Sequence, residues 1–177
     1  MKEVRDCFIT AIKDERKGKK HKGLLITQID KKIAEEYLIK AKMNLELCVL
    51  YKIKEFDYKI PEEWFYTLYY CALAILAKFG VESRSQKCTA IFLKCVKDKG
   101  LIEYDDEFIE RIIVHRSKEE RSDVDERETA RYGSSIKSQE VESKYEFMNN
   151  LCKKAISQCE EIIFSNKEFK VPKELYE

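Results

Sequence analysis

Two neighbouring stretches of apolar residues predict the central helices of this chain. Across residues 61–79, large apolar side chains leave almost no polar side, so we predict a helix that is buried around most of its circumference. Gly80 follows it at the position where helices often end. Across residues 83–100, apolar residues recur on one face at helical spacing, and Ser83 with Gln86 forms a pattern typical of a helix start.

Helical periodicity continues on both sides of this central pair. A short amphipathic segment covers residues 4–12, and a long helical stripe covers residues 27–54. Another helix opens at residues 108–113 and runs into a highly charged stretch, and a last long helix covers residues 141–165. We therefore predict an all-α fold, an up-and-down helical bundle of four main helices with short extra helices.

The composition agrees with a helical domain that needs no cross-link. The chain has 177 residues, enough to bury a core, and its 5 Gly and 2 Pro leave few helix breakers. Lys+Arg 34 and Asp+Glu 33 nearly cancel, so any attraction to nucleic acid or to an anionic membrane has to be local. We predict one domain over residues 1–165 and a peripheral C-terminal tail over residues 166–177.

The cysteines are predicted to be core residues. None of them belongs to a C-x-x-C pair, and two pairs are spaced seven residues apart on predicted helices, as small buried residues often are. With only two histidines in the chain, we expect no metal site and no cofactor. An odd cysteine count and an N-terminus without a signal-like apolar segment predict a reducing, cytoplasmic location. The seven are Cys7, Cys48, Cys71, Cys88, Cys95, Cys152 and Cys159.

Four short segments follow the long helix of residues 27–54 in a fixed order. They are an aromatic-rich segment at 65–72, a glycine stop with a following cap at 79–85, a second glycine stop at 96–102 and an Arg-to-Gly segment at 127–133. In this order, over residues 1–165, the chain resembles the HEPN superfamily. It is similar to small archaeal and bacterial HEPN proteins that stand alone or are encoded beside a minimal nucleotidyltransferase. The resemblance implies a helical bundle that is usually dimeric, with its functional groove at the dimer interface.

The resemblance also implies where catalysis would occur. Active members of the family cleave RNA without a metal, using an Arg that is followed four to six residues later by a His. Arg127 matches this arginine and Tyr132 matches a tyrosine that commonly follows the motif, but the histidine is missing. An upstream alternative is Arg111 with His115, which share one face of a predicted helix. For that pair, a surface role with local ion pairs is the simpler interpretation.

Two further groups of cations are candidates for binding RNA or nucleotide phosphates. Arg121 and Arg131 lie on either side of the matched arginine. Lys17, Lys19 and Lys20 lie in a basic stretch between the first two predicted helices, where they would bind phosphates without reading sequence. The alternative interpretation of both groups is a solvated surface.

Three functions therefore remain open. In the first, the chain is a noncatalytic or weakly catalytic HEPN protein, a homodimer that partners a minimal nucleotidyltransferase in a toxin–antitoxin-like system. In the second, it is a metal-independent endoribonuclease that uses Arg127 with Tyr132, or Arg111 with His115. In the third, it is a nucleotide-binding module. The missing histidine favours the first of these functions. No apolar stretch approaches the length of a membrane span.

Overall fold

The computed structural model describes residues 2–113 and 138–176 and confirms the all-α helical bundle. The described helices are α1 (Lys2–Arg16), α2 (Lys31–Ile53), α3 (Ile60–Lys78), α4 (Gln86–Asp98), α5 (Asp106–Arg111) and α6 (Ser138–Phe164). Two short strands, β1 (Leu24–Ile26) and β2 (Val81–Ser83), pair antiparallel, and single 3-10 turns cover Asp57–Lys59 and Lys173–Leu175. The strand pair ties the segment after α1 to the segment after α3.

Helices α2 and α3 pack side by side in opposite directions. Tyr37 near the start of α2 stacks on Tyr70 in the second half of α3, with ring centroids 6.0 Å apart. Further along α2, the Thr67 hydroxyl of α3 donates to the Ala41 carbonyl at 3.4 Å. Later residues of α2 therefore contact earlier residues of α3. The two helices are antiparallel, as expected for consecutive helices joined by a short connection.

Helix α6 packs against α3 in the same direction. The Trp64 indole N–H donates to Asn149 Oδ1 at 2.8 Å, and further along both helices the Cys159 thiol donates to the Cys71 carbonyl at 3.4 Å. Both partners advance together along the two helices, so α3 and α6 are parallel. The chain between them includes α4 and α5, which also contact the bundle.

Helix α3 is the centre of the core. Its neighbours include α2, α4, α5, α6 and β2, so it is buried around most of its circumference, as its sequence predicts. A left-handed Gly80, at φ 68°, turns the chain directly into β2. The side chains of α3 that are almost fully buried include Trp64, Phe65, Leu68, Ile75 and Leu76.

The predicted cap of α4 is wrong by two residues. Ser83 belongs to β2, and Ser85 is the residue that caps the helix, because its Oγ accepts the Cys88 N–H at 3.3 Å. Ser83 Oγ instead accepts hydrogen bonds from the Ser85 N–H and from the Thr89 hydroxyl. Serine is a common capping residue, so both Ser83 and Ser85 were candidates for the helix start. Ser83 pairs with β1, and Ser85 is left to cap α4.

The prediction that the cysteines serve only as free core residues is wrong for one pair. Cys7 of α1 and Cys88 of α4 form a disulfide, with their Cα atoms 5.9 Å apart. They are separated by 81 residues, so no local spacing could reveal the pairing. The five free cysteines fit the predicted core role, because four are buried and one is half-buried. The buried ones are Cys48, Cys71, Cys152 and Cys159, and the half-buried one is Cys95.

The segment after α6 folds back onto the bundle. Phe169 packs against Phe79 at the end of α3, with ring centroids 4.9 Å apart, and Tyr176 contacts Phe8 of α1. Leu175 is fully buried. This segment therefore contributes side chains to the core on the side where α1 and α4 meet.

Candidate functional site

Most of the residues proposed for catalysis lie outside the described residues. The arginine and tyrosine matched to the family motif are among them, as are the neighbouring cations and the upstream histidine. Their roles therefore stay predictions. They are Arg127, Tyr132, Arg121, Arg131 and His115.

Arg111, the remaining member of the upstream pair, has structural partners. It is the last residue of α5, and its Nη2 and Nε lie 2.8 Å and 3.3 Å from Oε1 of Glu107, one turn earlier. Its guanidinium also lies 5.4 Å from the ring centroid of Phe147 in α6. These contacts favour the interpretation of Arg111 as a residue that pairs along α5 and fastens it to α6.

A basic turn, which we define as residues 13–22, comprises the last turn of α1 and the residues that lead from it towards β1, and hydrogen bonds hold its backbone. The chain reverses through Gly18, which has a positive φ of 67° that suits glycine. The Lys19 N–H donates to the Asp14 carbonyl at 3.0 Å, and the Lys22 N–H donates to Oδ2 of the Asp14 carboxylate at 3.0 Å. A carboxylate within the turn is therefore engaged by the backbone.

The basic turn exposes six cationic side chains. None of the six forms an ion pair with another described residue, and this includes Lys17, Lys19 and Lys20, which the sequence singles out. Several lysines elsewhere do have partners, since Lys42, Lys97 and Lys154 lie within ion-pair distance of carboxylates. The six exposed cations of the turn are Lys13, Arg16, Lys17, Lys19, Lys20 and Lys22.

His21 anchors the basic turn to β2. Its ring is buried, its Nε2 lies 3.2 Å from Oε1 of Glu82, and its Nδ1 accepts the Gly23 N–H at 3.4 Å. Arg84 Nε donates to the same oxygen of Glu82 at 2.7 Å, and the Arg84 N–H donates to the Gly23 carbonyl at 3.2 Å. Burial raises the pKa of Glu82, but hydrogen bonds from Arg84 and His21 outweigh it, so this pKa is lowered. Arg84 is thereby held beside the basic turn.

Helix α2 carries a second row of apolar side chains that face away from the core. We call Ile39, Met43, Leu50 and Ile53 the outer stripe. They are 55%, 57%, 47% and 71% exposed, and their spacing of four, seven and three residues puts them on one side of the helix. The opposite side of α2 packs into the bundle.

A surface cleft of about 310 Å³ lies between α1 and α4. Its lysines already have partners, because Lys99 lies 2.8 Å from Glu174 and Lys94 lies 3.9 Å from Asp106. Burial raises the pKa of the Cys95 thiol in its wall, which disfavours the reactive thiolate. The cleft is lined by Glu3, Val4, Ile91, Lys94, Cys95, Asp98 and Lys99.

The described residues contain neither a metal-binding cluster nor a helix that could span a membrane. No cluster of three or more His, Cys, Asp or Glu side chains there has the arrangement needed to hold a metal ion. Within the same part of the chain, no helix combines the length and the apolar composition that crossing a bilayer requires.

No family model, curated protein or solved structure matches this chain. The resemblance to the HEPN superfamily therefore rests on the sequence segments alone, and the function it implies is a proposal.

The outer stripe and the position of Arg84 were not predicted from the sequence. The apolar periodicity over residues 27–54 predicted a helix with one apolar side, whereas α2 has two. The heptad-like spacing of Ile39, Met43, Leu50 and Ile53 is visible in the sequence and could have revealed the second side. The approach of Arg84 to the basic turn depends on strand pairing, so no local pattern predicts it.

Proposed function

We propose that the chain is an HEPN-like module without a metal-dependent catalytic centre, which acts as a homodimer and partners a minimal nucleotidyltransferase. The observation that supports self-association is the outer stripe of α2. The resemblance supports the nucleotidyltransferase, and the missing histidine after Arg127 supports a noncatalytic or weakly catalytic role. The cytoplasmic location remains part of this proposal. The cysteines no longer support it, because Cys7 and Cys88 form a disulfide, a bond that a reducing cytosol disfavours.

The outer stripe is more apolar than a solvated helix surface needs to be. Soluble monomers rarely expose a contiguous apolar patch of more than a few hundred Å². Here four large apolar side chains, each about half exposed or more, lie along one side of α2, two before and two after the exposed Glu46, and Val49 and Phe56 at 49% each extend the exposed apolar area. Covering this surface with a second protein would remove it from water, which is the main favourable term in association.

The charges along the outer stripe favour a second copy of the chain in antiparallel orientation. If the two-fold axis passes between Met43 and Glu46, Ile39 of each copy faces Leu50 of the other. Glu36 then lies beside Lys54 of the other copy, once on each side of the axis. In this register Glu46 of each copy faces Met43 of the other, whereas parallel packing would place like charges against each other at Glu36 and Glu46. Both Glu36 and Lys54 are exposed on the monomer.

Light scattering of wild type and a stripe variant tests self-association. We expect wild type to be a dimer across the micromolar range and Met43→Glu to be a monomer, because it buries an unpaired charge at the axis. Phe164→Glu is the matched control, since Phe164 is 55% exposed on α6 and lies outside the stripe. A monomeric wild type, or equal dissociation of both variants, would contradict the proposed surface.

A charge exchange tests the antiparallel arrangement. Glu36→Lys and Lys54→Glu should each weaken the dimer, because each replaces two attractive contacts with two repulsive ones. The double variant should recover much of the lost affinity, since it restores the pairs with their signs reversed. If the two substitutions weaken the dimer additively in the double variant, this register is rejected. Self-association itself is then decided by light scattering of wild type and Met43→Glu.

Co-expression tests the nucleotidyltransferase partner. If a minimal nucleotidyltransferase is encoded beside this chain, its purified product should form a stoichiometric complex with the wild-type dimer on gel filtration. RNA cleavage in EDTA is measured alongside, and we expect little or none. Separate elution of the two proteins would reject this part of the proposal, and cleavage that Arg127→Ala abolishes would support the endoribonuclease instead.

A further inference from the structure

The charge of the basic turn extends onto the start of α4. Arg84 hydrogen-bonds through its backbone to Gly23, directly after the turn, and Lys87 is exposed in the first turn of α4. The disulfide between Cys7 and Cys88 fixes this end of α4 against α1. The fold therefore joins the six cations of residues 13–22 to two cations that lie far away in the sequence.

Three carboxylates offset only part of this charge. Asp14 accepts a backbone hydrogen bond from Lys22, and Glu82 is shared between Arg84 and the buried His21. Together with Glu15 they oppose eight cationic side chains, so the region keeps an excess of positive charge. The whole chain has a formal net charge of +1, so this surface concentrates positive charge that the rest of the molecule balances.

We propose that the basic turn, together with Arg84 and Lys87, binds the phosphodiester backbone of single-stranded nucleic acid without reading its sequence. The six cations of residues 13–22 form no ion pair with another described residue, so each can approach a phosphate and release its counterions. The turn backbone is held by its hydrogen bonds and by His21, so the cations sit on a fixed support.

Nucleic acid fits this surface better than a membrane does. Binding to an anionic bilayer by such a segment usually combines basic residues with apolar side chains that enter the acyl boundary. Residues 13–22 contain no aliphatic or aromatic hydrocarbon side chain, and the only ring among them, His21, is buried. A surface made of exposed Lys and Arg alone matches a ligand that offers phosphates at regular intervals.

Fluorescence anisotropy with a labelled single-stranded RNA tests the proposal. The full chain is titrated at several salt concentrations, and the triple variant Lys17→Gln, Lys19→Gln, Lys20→Gln is compared with wild type. We expect the variant to bind about tenfold more weakly or worse, and its slope of log affinity against log salt to fall by about 2, at about 0.7 for each lost phosphate contact. The three side chains are exposed and unpaired, so the melting temperature should not change.

A second triple variant controls for net charge. Lys31→Gln, Lys153→Gln, Lys170→Gln removes the same charge from exposed positions elsewhere on the molecule, and it should bind RNA as wild type does. Equal loss in both triple variants would mean that overall charge drives binding and would overturn the proposal. Failure of wild type to bind RNA or DNA, or binding to phosphatidylserine vesicles in their place, would also overturn it.

Lys87→Gln tests whether the fold extends the surface beyond the turn. It should weaken binding by a smaller factor than the triple variant and lower the salt slope by about 0.7. Unchanged binding would limit the surface to the turn and contradict the part of the proposal that includes α4. The Met43→Glu variant separates this proposal from the proposed dimer. It should bind as much RNA per chain as wild type even if it no longer self-associates.

Discussion

Helices α2 and α3 run side by side and are both rich in apolar residues, yet only α3 is buried on nearly all sides. α3 is enclosed by α2, α4, α5, α6 and β2, whereas α2 uses one side for α3 and α6 and turns its outer stripe outward. The contrast shows that apolar content alone does not locate the core. In α3 it marks the centre of the domain, and in α2 it marks both the core and a surface suited to a second protein.

The largest effect should come from emptying the buried side of this pair. Trp64 of α3 is 2% exposed, and Ile39 of α2 is 55% exposed. Trp64→Ala should lower the free energy of unfolding by about 3–5 kcal/mol, because it removes a large ring and leaves a cavity. Ile39→Ala, measured on the monomeric Met43→Glu background, should change it by less than about 0.5 kcal/mol.

Urea denaturation followed by far-ultraviolet circular dichroism provides both free energies. Comparable losses for the two substitutions would mean that Ile39 is as well packed as Trp64 and would remove the distinction between the helices. A loss for Ile39→Ala that appears only in the dimeric protein and grows with protein concentration would sharpen the distinction, since the surface would then be buried by association.

The helices were predictable because their signals are local. Asp30 is a helix start by sequence, and in the structure its carboxylate accepts the Ile33 N–H at 3.1 Å. Apolar periodicity located α2, α3, α4 and α6, because a helix that buries one face must repeat its apolar residues at about its own pitch. The heavily buried α3 was recognisable for the same reason, since it has no polar side.

The features that depend on distant residues were not predictable. The disulfide joins cysteines 81 residues apart, and neither Cys7 nor Cys88 lies in a spacing that distinguishes it from the free cysteines. Ser85 replaced Ser83 as the cap of α4 because strand pairing occupies Ser83. Of the candidate site residues, Lys17, Lys19 and Lys20 lie on an exposed turn as basic stretches usually do, whereas the contribution of Arg84 required the fold.

A smaller effect is expected from the buried hydrogen bond that joins Trp64 of α3 to Asn149 of α6. Asn149→Ala removes the acceptor of the Trp64 indole N–H and leaves a buried donor without a partner, which should cost about 1–3 kcal/mol. Asn150→Ala is the matched control, because Asn150 is exposed on the other side of the same helix turn. Equal melting temperatures for the two variants would show that the indole contact contributes little to α3 burial.

The smallest effect concerns the carboxylate that α3 places against α2. The pKa of Glu63 is raised from 4.5 to about 6, because burial and the nearby Glu62 raise it more than Lys59 lowers it. Because the folded state binds this proton more tightly than the unfolded state, ionised Glu63 destabilises the fold. This cost is absent below pH 4.5, grows as the pH rises to about 6 and is complete above it.

Glu63→Gln should therefore raise the melting temperature relative to wild type above pH 6 and do so less below pH 4.5. Thermal melts across this range measure the difference, with Glu161→Gln as a control that removes the same charge from an exposed position on α6. A difference between Glu63→Gln and wild type that does not change with pH would mean that Glu63 is as well solvated as a surface carboxylate. The α2–α3 contact would then be more open than the burial of α3 implies.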